Sequence, residues 1–171
     1  MSEQKDFDKA IRLRQQMILN REIERCLDEL IRAAGEKACL LSDDKAMRES
    51  QLRNVLSVAV AHPLSHLTVS NFIYYQIGRS GVGHAWMHNN FGKQVVKDIQ
   101  DADGIVSKLA NQVADAVHNA VTEANRDEVR QDARGQLLRL YLGYLNRWFS
   151  SGSKARDWQG IENLLKEGRN V

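Results

Sequence analysis

The sequence predicts an all-α protein, a single-domain bundle of six to seven helices. Three observations predict it. One proline punctuates 171 residues, and β-branched runs are scarce, so little opposes helix and little favours strand. Apolar residues recur every three or four positions, and nowhere do they alternate with period two over the length of a strand. The turn-forming clusters are short, so successive helices must close their apolar stripes on one another.

Each element follows from local signals. Residues 6–34 form the first helix, with Leu19, Ile23, Cys26, Leu27, Leu30 and Ile31 on one face, and Gly35 offers a left-handed stop. Ser42 or Asp43 caps a second helix that runs to His62, with Leu52, Val55, Leu56 and Ala59 inward. Pro63 ends it, because proline disfavours helix in the residue before it. A third helix starts at Leu64 or Ser65 and reaches Ile77, facing inward with Val69, Phe72, Ile73 and Gln76. After the turn at residues 78–83, a fourth helix spans 84–102 on Met87, Phe91, Val95 and Ile99. Asp103-Gly104 breaks it.

The fifth helix is long, residues 105–134, with Ile105, Leu109, Val113, Val117 and Val121 inward. Its later turns, at Asn125, Arg126, Asp127 and Glu128, are too polar to bury, so they fray or project. Gly135 kinks or ends it. The sixth helix, 136–149, is apolar on most sides: Leu137, Leu138, Leu140, Tyr141, Leu142, Tyr144, Leu145, Trp148 and Phe149. Such a helix is either buried centrally or carries a partner surface. Residues 150–154, Ser-Ser-Gly-Ser-Lys, read as a linker. A last amphipathic segment, 157–167, carries Trp158, Ile161, Leu164 and Leu165. The division is therefore a bundle over 1–149, then a linker and C-terminal helix over 150–171 packed on the same domain.

Composition narrows the function classes. An apolar share of 43% and a charged share of 27% are those of a folded chain rather than a disordered one. A net charge of +2 gives no bulk attraction to nucleic acid, so that case must rest on how the charge is distributed. Cys26 and Cys39 lack CxxC spacing and read as small, buried or half-buried side chains of a reducing compartment. The first six residues hold no apolar signal core, and no run approaches the roughly 18 apolar residues of a membrane span. The expectation is a soluble, cytoplasmic protein with no membrane partner.

The densest chemical stretch lies between Val69 and Gly92, where aromatics, glycines, an arginine and histidines meet. His62/His66 and His84/His88 are spaced by four, which on a helix brings two imidazoles to one face as metal ligands require. Pro63 interrupts the first pair, and no acid or cysteine nearby in sequence completes either set. No metal ligands, cofactor or catalytic residues are therefore assigned. The glycines of 78–83 lack the Lys-Ser/Thr of a phosphate loop and follow no strand, so they read as a helix–helix turn from which Arg79 reaches a phosphate.

The arginines are the stronger signal. Arg14, Arg21, Arg25 and Arg32 are spaced by 7, 4 and 7, which holds them within roughly 20° of one line along a helix. Arg126, Arg130 and Arg134 recur every four residues, opposite Val117. Lys93 and Lys97 form a shorter pair, and Arg53, Arg139, Arg147, Lys154 and Arg156 add to the supply. The planar guanidinium fork suits bidentate contact with phosphate. Glu123, Asp127, Glu128 and Asp132 offer intrahelical partners that would make the second row an ordinary solvated face. Tyr74, Tyr75 and Trp86 either stack bases or pack the core.

One resemblance bears on these residues. Ser50-Gln51-Leu52-Arg53-Asn54-Val55-Leu56 is similar to the Ser-Gln-Ile/Leu-Arg motif near the start of a core helix in the small subunits of type III CRISPR effector complexes. The segment from Asn71 to Arg79 suggests the same neighbourhood. The resemblance covers that heptapeptide and the overall helical layout. It implies a non-catalytic subunit whose copies stack along larger subunits of a ribonucleoprotein and line the groove holding guide and target RNA. Arg53 is the residue it marks as a nucleic-acid contact. Sequence-independent phosphate binding by the arginine rows would then complement selection by base pairing. Two other classes stay open: a helical adaptor docking a protein through its apolar sixth helix and tail, and a metal-dependent enzyme using His84 and His88.

Overall fold

Helix α1 runs Ser2–Cys39 in the computed structural model, which describes residues 2–79, 81 and 83–167. It passes straight through Gly35, where the sequence suggests a stop. The glycine serves a crossing instead: a Cβ there would stand 2.8 Å from Leu165 and 3.2 Å from the Trp148 ring nitrogen. Close approach of two other helices, rather than a left-handed cap, is what demands the missing side chain.

Helix α2 is Glu49–Ala61, starting later than a Ser42 or Asp43 cap would place it. The Asp44 carboxylate accepts the backbone N–H groups of Ala46 and Met47, holding residues 40–48 in turns. The Gln51 side chain then accepts the Arg48 N–H at 2.8 Å and opens the helix. Pro63 ends α2 as expected, and Ser65 caps α3 (His66–Gly78) by accepting the Thr68 N–H at 3.3 Å.

The expected helix over 84–102 is two pieces, α4 (Gly83–Met87) and α5 (Phe91–Gln100), joined by a single tight turn at His88–Asn90. Asn89 and Asn90 hold φ of 46° and 58°, the left-handed region that asparagine tolerates better than most residues. Asn89 also donates to the Leu40 carbonyl at 2.9 Å, fastening this break to the end of α1. In the glycine-rich turn before α4, Ser80 and Val82 lie outside the described residues, as do residues 168–171 of the tail.

The chain also breaks at residues 121–125. Helix α6 is Ile105–Ala120 and α7 is Arg126–Ala155, so the break comes ten residues before Gly135. Asn125 caps α7 by accepting the N–H groups of Asp127 and Glu128. Those two acids then sit in the first turn, where the helix dipole favours negative charge. The polar run expected to fray is thus a helix start. Gly135 is buried inside α7 against the Pro63 carbonyl, which would clash with any Cβ. Residues 150–154 remain helical too, because Gly152 lets the Trp158 ring lie against α7. The turn comes at Arg156 (φ 54°), after which α8 (Trp158–Glu167) packs on α1 and α7.

Helices α1, α6 and α7 form the centre. Leu30, Leu109, Val113, Leu137, Tyr141 and Leu145 are all buried there. Most of the side chains that make residues 136–149 apolar are therefore core: Leu137, Leu138, Tyr141, Leu142, Leu145 and Phe149 are each at most 4% exposed, while Leu140, Tyr144 and Trp148 pack half-buried against it. Helices α2, α3, α4 and α5 wrap the end of this centre, and the outer face of α3 is left to solvent.

Candidate nucleic-acid interface

The α1 row is exposed but partly neutralised. Arg21 and Arg25 share the Glu22 carboxylate, at 3.0 Å and 2.9 Å. Arg14 and Arg21 border a shallow groove with Leu13, Met17, Ile18 and Ala120. Arg32 is half-buried, without an acidic partner among the described residues. Glu22 meets Arg25 at the i,i+3 spacing of helix neighbours and Arg21 as its chain neighbour.

Arg53, the residue marked by the resemblance, stands on the outer side of α2 with its side chain 62% exposed. Leu52 and Val55 of the same heptapeptide are buried, so burial explains two of its seven positions. Arg53 bonds Glu49 at 2.7 Å, and Lys154 of α7 reaches that carboxylate at 3.0 Å. Hydrogen bonds from Lys154 and then Arg53 hold the Glu49 carboxyl below its ordinary range. On α5, Lys97 is 4.0 Å from Asp101, while Lys93 is exposed and has no acidic partner among the described residues.

The α7 row divides along its length. Arg126 is spoken for by Asp115 of α6 at 2.6 Å. Arg130 has Asp127 at 3.5 Å, and Arg134 donates to the Ile99 carbonyl near the end of α5 at 2.7 Å. Burial, then the neighbouring Arg130, depress the Arg134 pKa below the ordinary guanidinium value. Arg130 and Arg134 border two cavities, neither shared with Arg14 or Arg21.

The aromatics separate cleanly. Trp86 is buried at 1% exposure and packs on Phe91, with ring centroids 5.6 Å apart. Tyr74 and Tyr75 are 53% and 61% exposed on the outer face of α3. The Arg79 guanidinium lies 5.6 Å from the centre of the Tyr75 ring, a cation–π distance, and bonds the Gln76 side chain at 3.3 Å. Asn71 and Leu67 extend the same exposed face back to the start of α3.

His84 lies in α4, and His88 opens the turn that follows it, ahead of the left-handed Asn89 and Asn90. His88 meets Asp43 at 2.8 Å and Asp44 at 4.0 Å, carboxylates contributed by the loop after α1. The His88 hydrogen bond pulls the Asp43 carboxyl below its usual range. Among the described residues no group of three or more His, Cys, Asp and Glu side chains is placed to hold a metal ion. Cys26 and Cys39 are unpaired thiols, both raised in pKa first by burial and then by nearby glutamates.

No family model matches this chain, and no curated protein or solved structure is detectably similar to it. Among the described residues no helix is long and apolar enough to cross a membrane.

Proposed function

We propose that this chain is a non-catalytic, cytoplasmic subunit that binds single-stranded RNA within a guide-directed ribonucleoprotein. This is the role implied by the likeness of residues 50–56 to the small subunits of type III CRISPR effectors. The observation that carries the binding half of this reading is the outer face of α3. Two adjacent tyrosines are spent on solvent there, with an arginine over one ring. Exposed aromatic rings beside a guanidinium are what unpaired bases stack on, and such stacking is indifferent to sequence. Arg53, Lys93 and the α1 row supply exposed positive charge for the backbone. Several copies per assembly, beside larger partner subunits, complete the proposal. An adaptor role through residues 136–149 has less support, since six of its nine large apolar side chains fill the core and Leu140, Tyr144 and Trp148 pack half-buried against it.

The test is a titration of labelled single-stranded RNA followed by fluorescence anisotropy. Binding should weaken with salt by roughly 0.7 of a log unit per decade for each phosphate neutralised. Tyr75→Ala should weaken it by about 1 kcal/mol, several-fold in affinity, with helicity unchanged. Salt-independent binding, no binding, or full affinity in the Tyr74→Ala/Tyr75→Ala double variant would remove the reading.

A further inference from the structure

Arg130 and Arg134 stand one turn apart on α7 and form a wall between two cavities of about 220 Å³ and 200 Å³. The larger is closed on its far side by Pro63, Leu64 and His66 of the α2–α3 turn. Two features of this wall are unresolved by the protein itself. The Nε–H of each arginine is buried and has no hydrogen-bond acceptor among the described residues. Among the described residues the two like charges have one carboxylate between them, Asp127, 3.5 Å from Arg130 and itself largely in solvent. Native proteins rarely leave such donors orphaned, and like charges at i,i+4 repel. A bound oxyanion would relieve both defects at once.

We propose that Arg130 and Arg134 bind a phosphate group from the side of the α2–α3 turn. A phosphomonoester carries nearly two negative charges at neutral pH, which suits two guanidinium groups better than a single carboxylate would. The cavity falls short of the usual range for whole drug-sized ligands, so it admits the phosphate and its immediate substituent. Gly135 keeps the wall close to the turn, because the Pro63 carbonyl occupies the space a Cβ would take. His66, whose pKa is lowered by burial and by Arg134, is held toward its neutral form and does not add a third charge. The cavity adjoins the start of α3, whose outer face carries Tyr74 and Tyr75. The source of the phosphate therefore rests on the RNA reading: a 5′-terminal phosphate of a strand lying along that helix.

The experiment has two arms on the full chain. In the first, thermal unfolding is followed with inorganic phosphate against chloride at matched ionic strength. Phosphate should raise the midpoint saturably, and Arg130→Gln should abolish the rise. Arg130 is chosen because its one ion pair is with exposed Asp127, whereas Arg134 also fastens α5; Arg134→Lys, which keeps the charge but loses the Nε donor, is the second variant and should reduce the rise. In the second arm, RNA bearing a 5′-phosphate should bind about tenfold tighter than the same strand with a 5′-hydroxyl, a ratio that falls toward one in Arg130→Gln. A phosphate effect equal in the wild type and both variants, or none at all, overturns the site whatever RNA does. A phosphate effect lost in the variants, without any RNA binding, keeps the site and removes the RNA reading. RNA binding indifferent to the 5′ end, with no phosphate effect, leaves that reading standing alone.

Discussion

Phe91→Ala should lower the stability of the folded protein by about 3–5 kcal/mol, the range for deleting a buried aromatic ring. Phe91 is the first residue of α5 and is fully buried, packed on Trp86. The backbone just before it is held left-handed at Asn89 and Asn90, an arrangement that costs energy and persists only where the surroundings impose it. The ring anchors this break, so its loss leaves a cavity and releases the turn together. Domains of this size are typically stable by only about 5–15 kcal/mol. Urea unfolding should show a much lower midpoint with helicity at zero denaturant nearly unchanged. A shift smaller than about 1 kcal/mol would mean the α4–α5 junction is not packed as described.

Tyr141→Phe should cost about 1.5–3 kcal/mol at neutral pH, the range for a hydrogen bond to a charged group. The fully buried Tyr141 hydroxyl donates to Asp98 at 2.6 Å, and Lys37 stands 3.6 Å from the same carboxylate. Burial raises the Asp98 pKa above its ordinary 3.8, while the Tyr141 bond and then Lys37 pull it back. A carboxyl whose folded pKa is raised favours the folded state while protonated, and that contribution is lost as pH rises through the folded value. Without the hydroxyl the Asp98 pKa rises further. The deficit of the variant should therefore be largest at neutral pH and shrink as pH falls through the raised folded value of Asp98, below which the carboxyl is protonated in the folded wild type and variant alike. Denaturant unfolding across that range reads it out. A deficit that does not change with pH would mean that Asp98 is not the group the hydroxyl serves.

The helices that were legible are those whose ends carry their own chemistry. Pro63 and Ser65 delimit α2 and α3 with no help from elsewhere in the chain. The break at residues 121–125 was legible in principle, since Asn125 followed by Asp127 and Glu128 has the form of a capped helix start. Strong apolar spacing before it and Gly135 after it pointed to a longer helix. Gly35, Gly135 and Gly152 were the systematic difficulty. A glycine reads the same whether it stops a helix or admits a neighbour. The neighbours that decide it, Leu165, Pro63 and Trp158, come from other elements. The candidate site shows the same division: periodicity located the arginines, but Asp115 and the Ile99 carbonyl, which occupy Arg126 and Arg134, come from other helices.

By itself the sequence determined an all-α bundle and most of the positions its helices bury, because apolar spacing is a local property, although Met87 and Leu164, assigned by the same spacing, stand more than half exposed. Only the tertiary structure decided which charged and aromatic side chains remain available. Tyr74 and Tyr75 were left in water, Trp86 was taken into the core, and Arg130 and Arg134 were set together against the α2–α3 turn with N–H groups unmet. Availability is set by what stands opposite a side chain, and in a folded bundle that neighbour comes from a distant part of the chain.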